Sequence, residues 1–249
     1  PGSTGYNYKY FINNKYNPPL DHIYRDTIAL EYIKHNKNIR CMIVYPVVYN
    51  HSKINELSNI IQNYGYIYYR KVINLNNSGV DNLIKEAYRD EDWIGGLFPT
   101  NSFGKTRFCL ANNPTIYISI CIKDLSKCIE LKEKCRSLFG LDKHSLHMSD
   151  FTSDTYRISS CLLNDNSIHF LNYGTNLLSE STKNLLRTYF KNKIDENFCL
   201  TSSLIMEMYN LRQAKDIDYL HKNNKKLNIH NICIHDDIWL SYYHVNKDE

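Results

Sequence analysis

Apolar runs of strand length alternate with helix-period segments along most of the chain, and this alternation restricts the fold more than any other feature. Ile39 to Val48 is an apolar run; Lys53 to Tyr64 then carries Ile54, Leu57, Ile60 and Ile61 at helical spacing; Tyr66 to Leu75 returns to a strand pattern. The same reasoning predicts a helix over Val80 to Arg89, a strand over Ile116 to Ile122, and a helix over Leu125 to Phe139 stopped by Gly140. Ser145 to Met148 reads as a short strand and Ser153 to Leu163 as a helix, with Ser149, Asp150, Thr152 and Ser153 expected to cap it. Each element must bury its apolar face on another layer, so the expectation is an α/β architecture with a mixed sheet.

Three portions are expected: an N-terminal arm and helix over 1–37, an α/β domain over 38–164, and a distinct portion over 165–249, where the character of the sequence shifts. Residues 1–5 read as a cloning remnant, and Leu20 to His35 as the helix after a Tyr- and Asn-rich arm. The last portion holds a helix from Ser179 or Glu180 to Asn192. Its polar end, Asn246-Lys247-Asp248-Glu249, supplies no closing element, which suggests a piece of a longer chain.

Composition narrows the partners. With 249 residues and 43% of them apolar the chain can fill a sizeable core. Lys plus Arg number 30 against 26 for Asp plus Glu, and they are dispersed, so a nucleic-acid partner is possible but not indicated. The eight cysteines form no CxxC pair and no zinc-ligand spacing, and they read as reduced, mostly buried thiols. No run has the length and apolarity of a membrane span, and no signal peptide is visible, so a soluble, cytoplasmic protein is expected. Heavy use of Asn, Ile, Lys and Tyr is what an AT-rich coding sequence produces, as in some large DNA viruses, low-GC bacteria and protists.

The strongest chemical pattern lies between Thr201 and Leu220. Asp216 and Asp218 alternate with Ile217 and Tyr219, so on a strand both carboxylates leave the same face. Like charges so placed repel, and a hard divalent cation, Mg2+ or Mn2+, relieves the repulsion. Upstream, Leu204 to Leu211 is expected to be a short helix with Ser202 or Ser203 at its N-cap, a favourable place for an anion. The same residues are also explained, more plainly, as solvated acids at a strand edge and an ordinary helix cap.

The segment from Phe198 to Leu220 resembles the signature of the nucleotidyltransferase superfamily, in which a small-residue pair opens a helix and an acid-x-acid strand follows about a dozen residues later. The resemblance implies that Ser202 and Ser203 cradle phosphate, that Asp216 and Asp218 are the first two metal-binding and catalytic carboxylates, and that Arg212 and Lys215 meet phosphate charge. It implies a nucleoside triphosphate as substrate and a hydroxyl acceptor. Ser202 stands where the pattern usually has Gly. The third carboxylate would come from a later strand, where Asp236 and Asp237 follow Ile232-Cys233-Ile234 with His235 between.

Two other readings compete. A non-catalytic interaction domain can retain the nucleotidyltransferase shape. Alternatively, a sugar- or nucleotide-handling enzyme can build its site from Trp93, Lys105, His144, His147 and Asp150. In that case Asp90 to Arg107 is a long functional loop, and His147 with Asp150, or His144 with His147, can ligate a metal. Gly104-Lys105-Thr106 lacks the preceding Gly of a Walker loop, and no Gly-x-Ser-x-Gly elbow occurs.

Overall fold

In the computed structural model the described residues are 21–98, 100–175, 178–190, 198–221, 223, 226–227 and 232–234. The chain is a mixed α/β protein, and its described residues divide into two compact units, one ending at Asn172 and the other beginning at Tyr173.

The first unit contains α1 (Asp21–His35), β1 (Ile39–Val44), α2 (Glu56–Gln62), β2 (Gly65–Ile73), α3 (Asn77–Ala87), α4 (Ser102–Cys109), β3 (Thr115–Ile122), α5 (Cys128–Phe139), β4 (Leu146–Met148) and α6 (Thr152–Leu162). The helix α7 (Asp165–Tyr173) closes it. Its sheet has the order β2-β3-β1-β4. All of its pairings are antiparallel, so the mixed pairing expected of the sheet is absent from this unit. Strand, helix, strand, then strand, helix, strand in that spatial order is the split βαβ topology of ferredoxin-like domains.

Alternation on β1 assigns its side chains to two cores. Ile39, Cys41, Ile43 and Tyr45 face one side, where they pack with Tyr117 against α1, α3 and α6 through Ala29, Ile33, Leu83, Ile84 and Ile158. Met42 and Val44 face the other, with Ile116, Ile118 and Ile120, against Leu57 and Ile61 of α2 and Leu131, Cys135 and Phe139 of α5. Every residue of β1 and β3 is buried, which is why both read as apolar runs without polar alternation.

Local chemistry sets the boundaries. The apolar run from Ile39 leaves the sheet after Val44 because Pro46 has no N–H for the ladder, and Pro46–Val48 form a 3-10 turn. Gly65 opens β2 where an added Cβ would lie 2.0 Å from the carbonyl oxygen of Cys121. Gly140 ends α5 at φ +67, a conformation costly for other residues. Asp26 on α1 accepts from Tyr69 Oη at 2.7 Å and pairs with Lys71, tying the helix to the edge strand β2.

Two expectations are corrected here. The stretch from Asp90 to Arg107 is largely helical, with a 3-10 turn over Asp92–Gly95 and then α4, whose N-cap Asn101 accepts from Gly104 N at 3.0 Å. The helix α6 begins after Phe151 without a side-chain cap. Ser149 Oγ instead accepts from Cys41 N at 3.0 Å and bonds Thr155 Oγ1 at 2.7 Å, fastening β4 to β1 and to α6.

The second unit contains α8 (Glu180–Phe190), β5 (Phe198–Thr201), α9 (Ser203–Met208), β6 (Ile217–His221) and β7 (Ile232–Ile234). Its sheet is mixed: β5 pairs antiparallel with β6, and β6 parallel with β7. Leu204, Ile217, Tyr219 and Ile232 form its core, with Leu185, Leu186 and Tyr189 packed against them. Among the described residues no helix is long and apolar enough to cross a membrane, and the eight cysteines are unpaired thiols, five of them buried.

Candidate functional site

The strand β5 runs into a single turn residue, Ser202, and the chain then enters α9. Ser202 has φ 54 and ψ −127, a region that glycine occupies freely and a residue with Cβ occupies under strain. The backbone here has a glycine-like geometry that the serine side chain opposes. The helix ends sooner than Leu211. Asn210 takes φ 56, its N–H reaches Glu207 O at 2.8 Å, and Leu211 N–H reaches Met206 O at 2.9 Å, the paired closure of a Schellman motif.

Glu207 holds the return from α9 to β6. Its carboxylate, only 4% exposed, accepts from Ser179 N at 2.6 Å, Thr182 Oγ1 at 2.9 Å and Ala214 N at 2.7 Å. Burial works against its ionisation, but the two backbone N–H groups and the hydroxyl outweigh it and hold the carboxyl below its ordinary range. The helix period from Leu204 places Glu207 on the inner face with Met208, the signal by which it can be found in the sequence.

With that return fixed, the acidic pair meets the serine turn. Ile217 and Tyr219 of β6 are buried and Asp218 is half-buried on the opposite face, while Asp216, also half-buried, lies in the bend just before the strand. Ser203, itself buried, lies with Oγ 3.3 Å from Asp216 Oδ1, and Asp218 stands level with Thr201 of β5. Arg212 and Lys215 are exposed on the connecting loop. Their side chains meet no carboxylate among the described residues. On the other side Asp218 is level with Cys233 of β7, so a thiol occupies that neighbouring position. Asp236 and Asp237 lie outside the described residues, and no group of three metal-ligating side chains occurs among the described ones.

The second sequence candidate falls in the first unit. Trp93 packs on Tyr88 at 5.1 Å, and Tyr88 meets His147 edge-on at 4.6 Å. Lys105 Nζ lies 5.1 Å from the Tyr88 ring, and His144 is 4.9 Å from Phe108. Asp150 is engaged elsewhere: its carboxylate pairs with Lys132 and its carbonyl accepts from Arg40 Nε at 3.2 Å. Sequence reasoning missed Tyr45, Tyr88 and Arg136 here, since each lies on a separate element and none belongs to a spaced motif.

Comparison with protein-family models and with curated proteins finds no match to this chain.

Proposed function

We propose that the second unit is a divalent-cation-dependent nucleotide site of nucleotidyltransferase type, serving transfer of a nucleotidyl or phosphoryl group to a hydroxyl acceptor. The observation that supports this reading is the turn at Ser202, whose glycine-like backbone delivers Ser203 onto Asp216, with Asp218 two residues further on at the half-buried face of β6. Two adjacent carboxylates are a fitting donor set for Mg2+ or Mn2+, since magnesium keeps several waters and takes one or two carboxylates plus substrate phosphates. Asp216 and Asp218 would hold the ion; when bound, it neutralises phosphate charge and orients the triphosphate for displacement. Ser203 positions the Asp216 carboxylate, and Arg212 and Lys215 draw the anionic substrate to the open side.

Binding without transfer is the second reading, and Cys233 beside Asp218 is the observation that favours it. The test is a thermal-shift and binding series with ATP, GTP, CTP and UTP, each with and without Mg2+, on the parent and on Asp216→Ala/Asp218→Ala. The parent is expected to bind in a metal-dependent way and the double variant to lose that binding while staying folded. Equal binding by both sinks the assignment. Metal-dependent binding with no transfer to any hydroxyl acceptor selects the second reading.

A further inference from the structure

Lys105 on α4 is a buried cation without a counter-charge. It is 7% exposed, and its ammonium meets no carboxylate within ion-pair distance among the described residues. Its one hydrogen bond goes to the carbonyl of Lys143 at 2.5 Å; otherwise Nζ faces the rings of Tyr45 and Tyr88 at 5.4 and 5.1 Å. Leaving such a charge unpaired is costly, and proteins retain the arrangement where something compensates it.

The surroundings point the same way. Three polar atoms near it are buried with no hydrogen-bond partner, Arg136 Nε, His144 Nδ1 and His147 Nε2, while the Tyr45 hydroxyl interacts with that of Tyr88. Tyr45 is fully buried, and His147 is 7% exposed. The Arg136 charge bears on Tyr45, Tyr88, Lys105 and His147, and the Lys105 charge bears on both histidines, so these groups form one neighbourhood. Of the nearby acids, Asp150 is engaged by Lys132, Glu133 pairs with Arg136 through Nη1 at 2.9 Å, and exposed Asp142, whose charge bears on Lys105 and His144, forms no ion pair with either. The Arg136 guanidinium therefore keeps an Nε–H without an acceptor beside the Lys105 ammonium, and each neutral imidazole offers one donor and one acceptor nitrogen. Trp93 and His144 are half-buried and mark where the neighbourhood meets solvent.

We propose that Lys105, Arg136, Tyr45, His144 and His147 form a binding site for the phosphate group of a phosphate monoester, separate from the carboxylate pair of the second unit. A dianion with three terminal oxygens accepts from the ammonium, the guanidinium Nε–H and the phenol at once, and an imidazole can supply a further N–H. Burial lowers the Lys105 ammonium to about 8, as expected of a cation with no partner, and a bound dianion would restore its charge.

The test uses the full chain with EDTA present, titrated with inorganic phosphate or with AMP against chloride of equal ionic strength. The parent's melting temperature is expected to rise with ligand concentration as binding linkage requires, and Lys105→Met, which keeps most of the hydrocarbon stem, to lose that response. Unliganded Lys105→Met is expected to be at least as stable as the parent. A tighter response to AMP than to phosphate identifies a nucleotide as the source of the phosphate group; equal responses identify free phosphate. The proposal is overturned by an equal response in parent and Lys105→Met, or by a parent response no greater than that to chloride. A readout that needs no variant is the imidazole resonances of His144 and His147 in the parent, which should shift during the phosphate titration; fixed resonances overturn the proposal. Asp216→Ala/Asp218→Ala should retain the phosphate response, so failure at one site is told apart from failure at the other.

Discussion

Changing Glu207 to Gln tests the device that holds the acidic pair in place. The carboxylate takes three donors, two from backbone N–H groups and one from a hydroxyl. Glutamine has one acceptor oxygen. If that oxygen faces Ala214, the amide nitrogen confronts the Ser179 N–H, donor against donor; turned around, it satisfies Ser179 while the Thr182 hydroxyl rotates to accept and the Ala214 N–H is orphaned. Either way one buried backbone N–H is lost, at about 1–3 kcal/mol, and the remaining bonds lose their charge assistance. The unit is small and its groups lie near water, so screening reduces the electrostatic part and the expected total is about 2–3 kcal/mol. Because the chain has two units, amide hydrogen exchange is a better assay than a global melt. Protection of the Tyr219 amide in the central strand β6 should fall roughly 30- to 140-fold, at about 1.4 kcal/mol per factor of ten. The sign in pH follows from the depressed carboxyl: its contribution is present above the unfolded value and disappears as pH falls through the folded one. The Gln variant should lack that acid-dependent loss. A fall in protection below about threefold, or an unchanged acid profile, would refute the reasoning.

Two further outcomes come from backbone strain and from burial. Ser202→Gly should stabilise the second unit by about 1 kcal/mol, since relief of about 1–3 kcal/mol of strain exceeds the extra entropy of glycine, and a denaturant midpoint that falls instead contradicts the turn geometry. His147 is pushed down to about 3 by its burial and by the positive charges of Lys132, Lys105 and Arg136. The unfolded chain takes up that proton first, so stability is lost as pH falls from about 6.5 toward 3. His147→Gln should blunt this loss by up to about 1.4 kcal/mol per pH unit, and chemical denaturation of both proteins across that window should show their curves converging at low pH; parallel curves would contradict it.

Where burial and period coincide in apolar residues, the sequence is legible. The runs that became β1 and β3, the helix α5 and its glycine stop, and the alternation that sets Asp218 opposite Ile217 and Tyr219 could all be read from residue types, whereas Asp216 falls in the bend before the strand. The helix α4 could not, because its inner face is Ser102, Lys105, Thr106 and Cys109: the helical period is present but written in polar residues. Strand direction was also hidden, since the alternation of strands and helices is the same whether or not β3 inserts between β1 and β2. The serine turn shows a third case. No residue type there announces the positive φ that Ser202 adopts.

The split βαβ order has a kinetic consequence. In a simple domain of this topology β2 and β3 are joined by a tight hairpin, a contact that forms early. Here residues 74–114, carrying α3 and α4, intervene between the two strands. Closing roughly forty residues rather than about four costs about 2 kcal/mol more in chain entropy. Strand pairing that would otherwise be local becomes long-range, and β1 pairs with β3 across a still longer stretch, residues 45–114, so the sheet has no local hairpin to start from and should form slowly. Until they pair, these strands expose unpaired edges, so aggregation during refolding would originate in this sheet, far along the chain from the acidic pair.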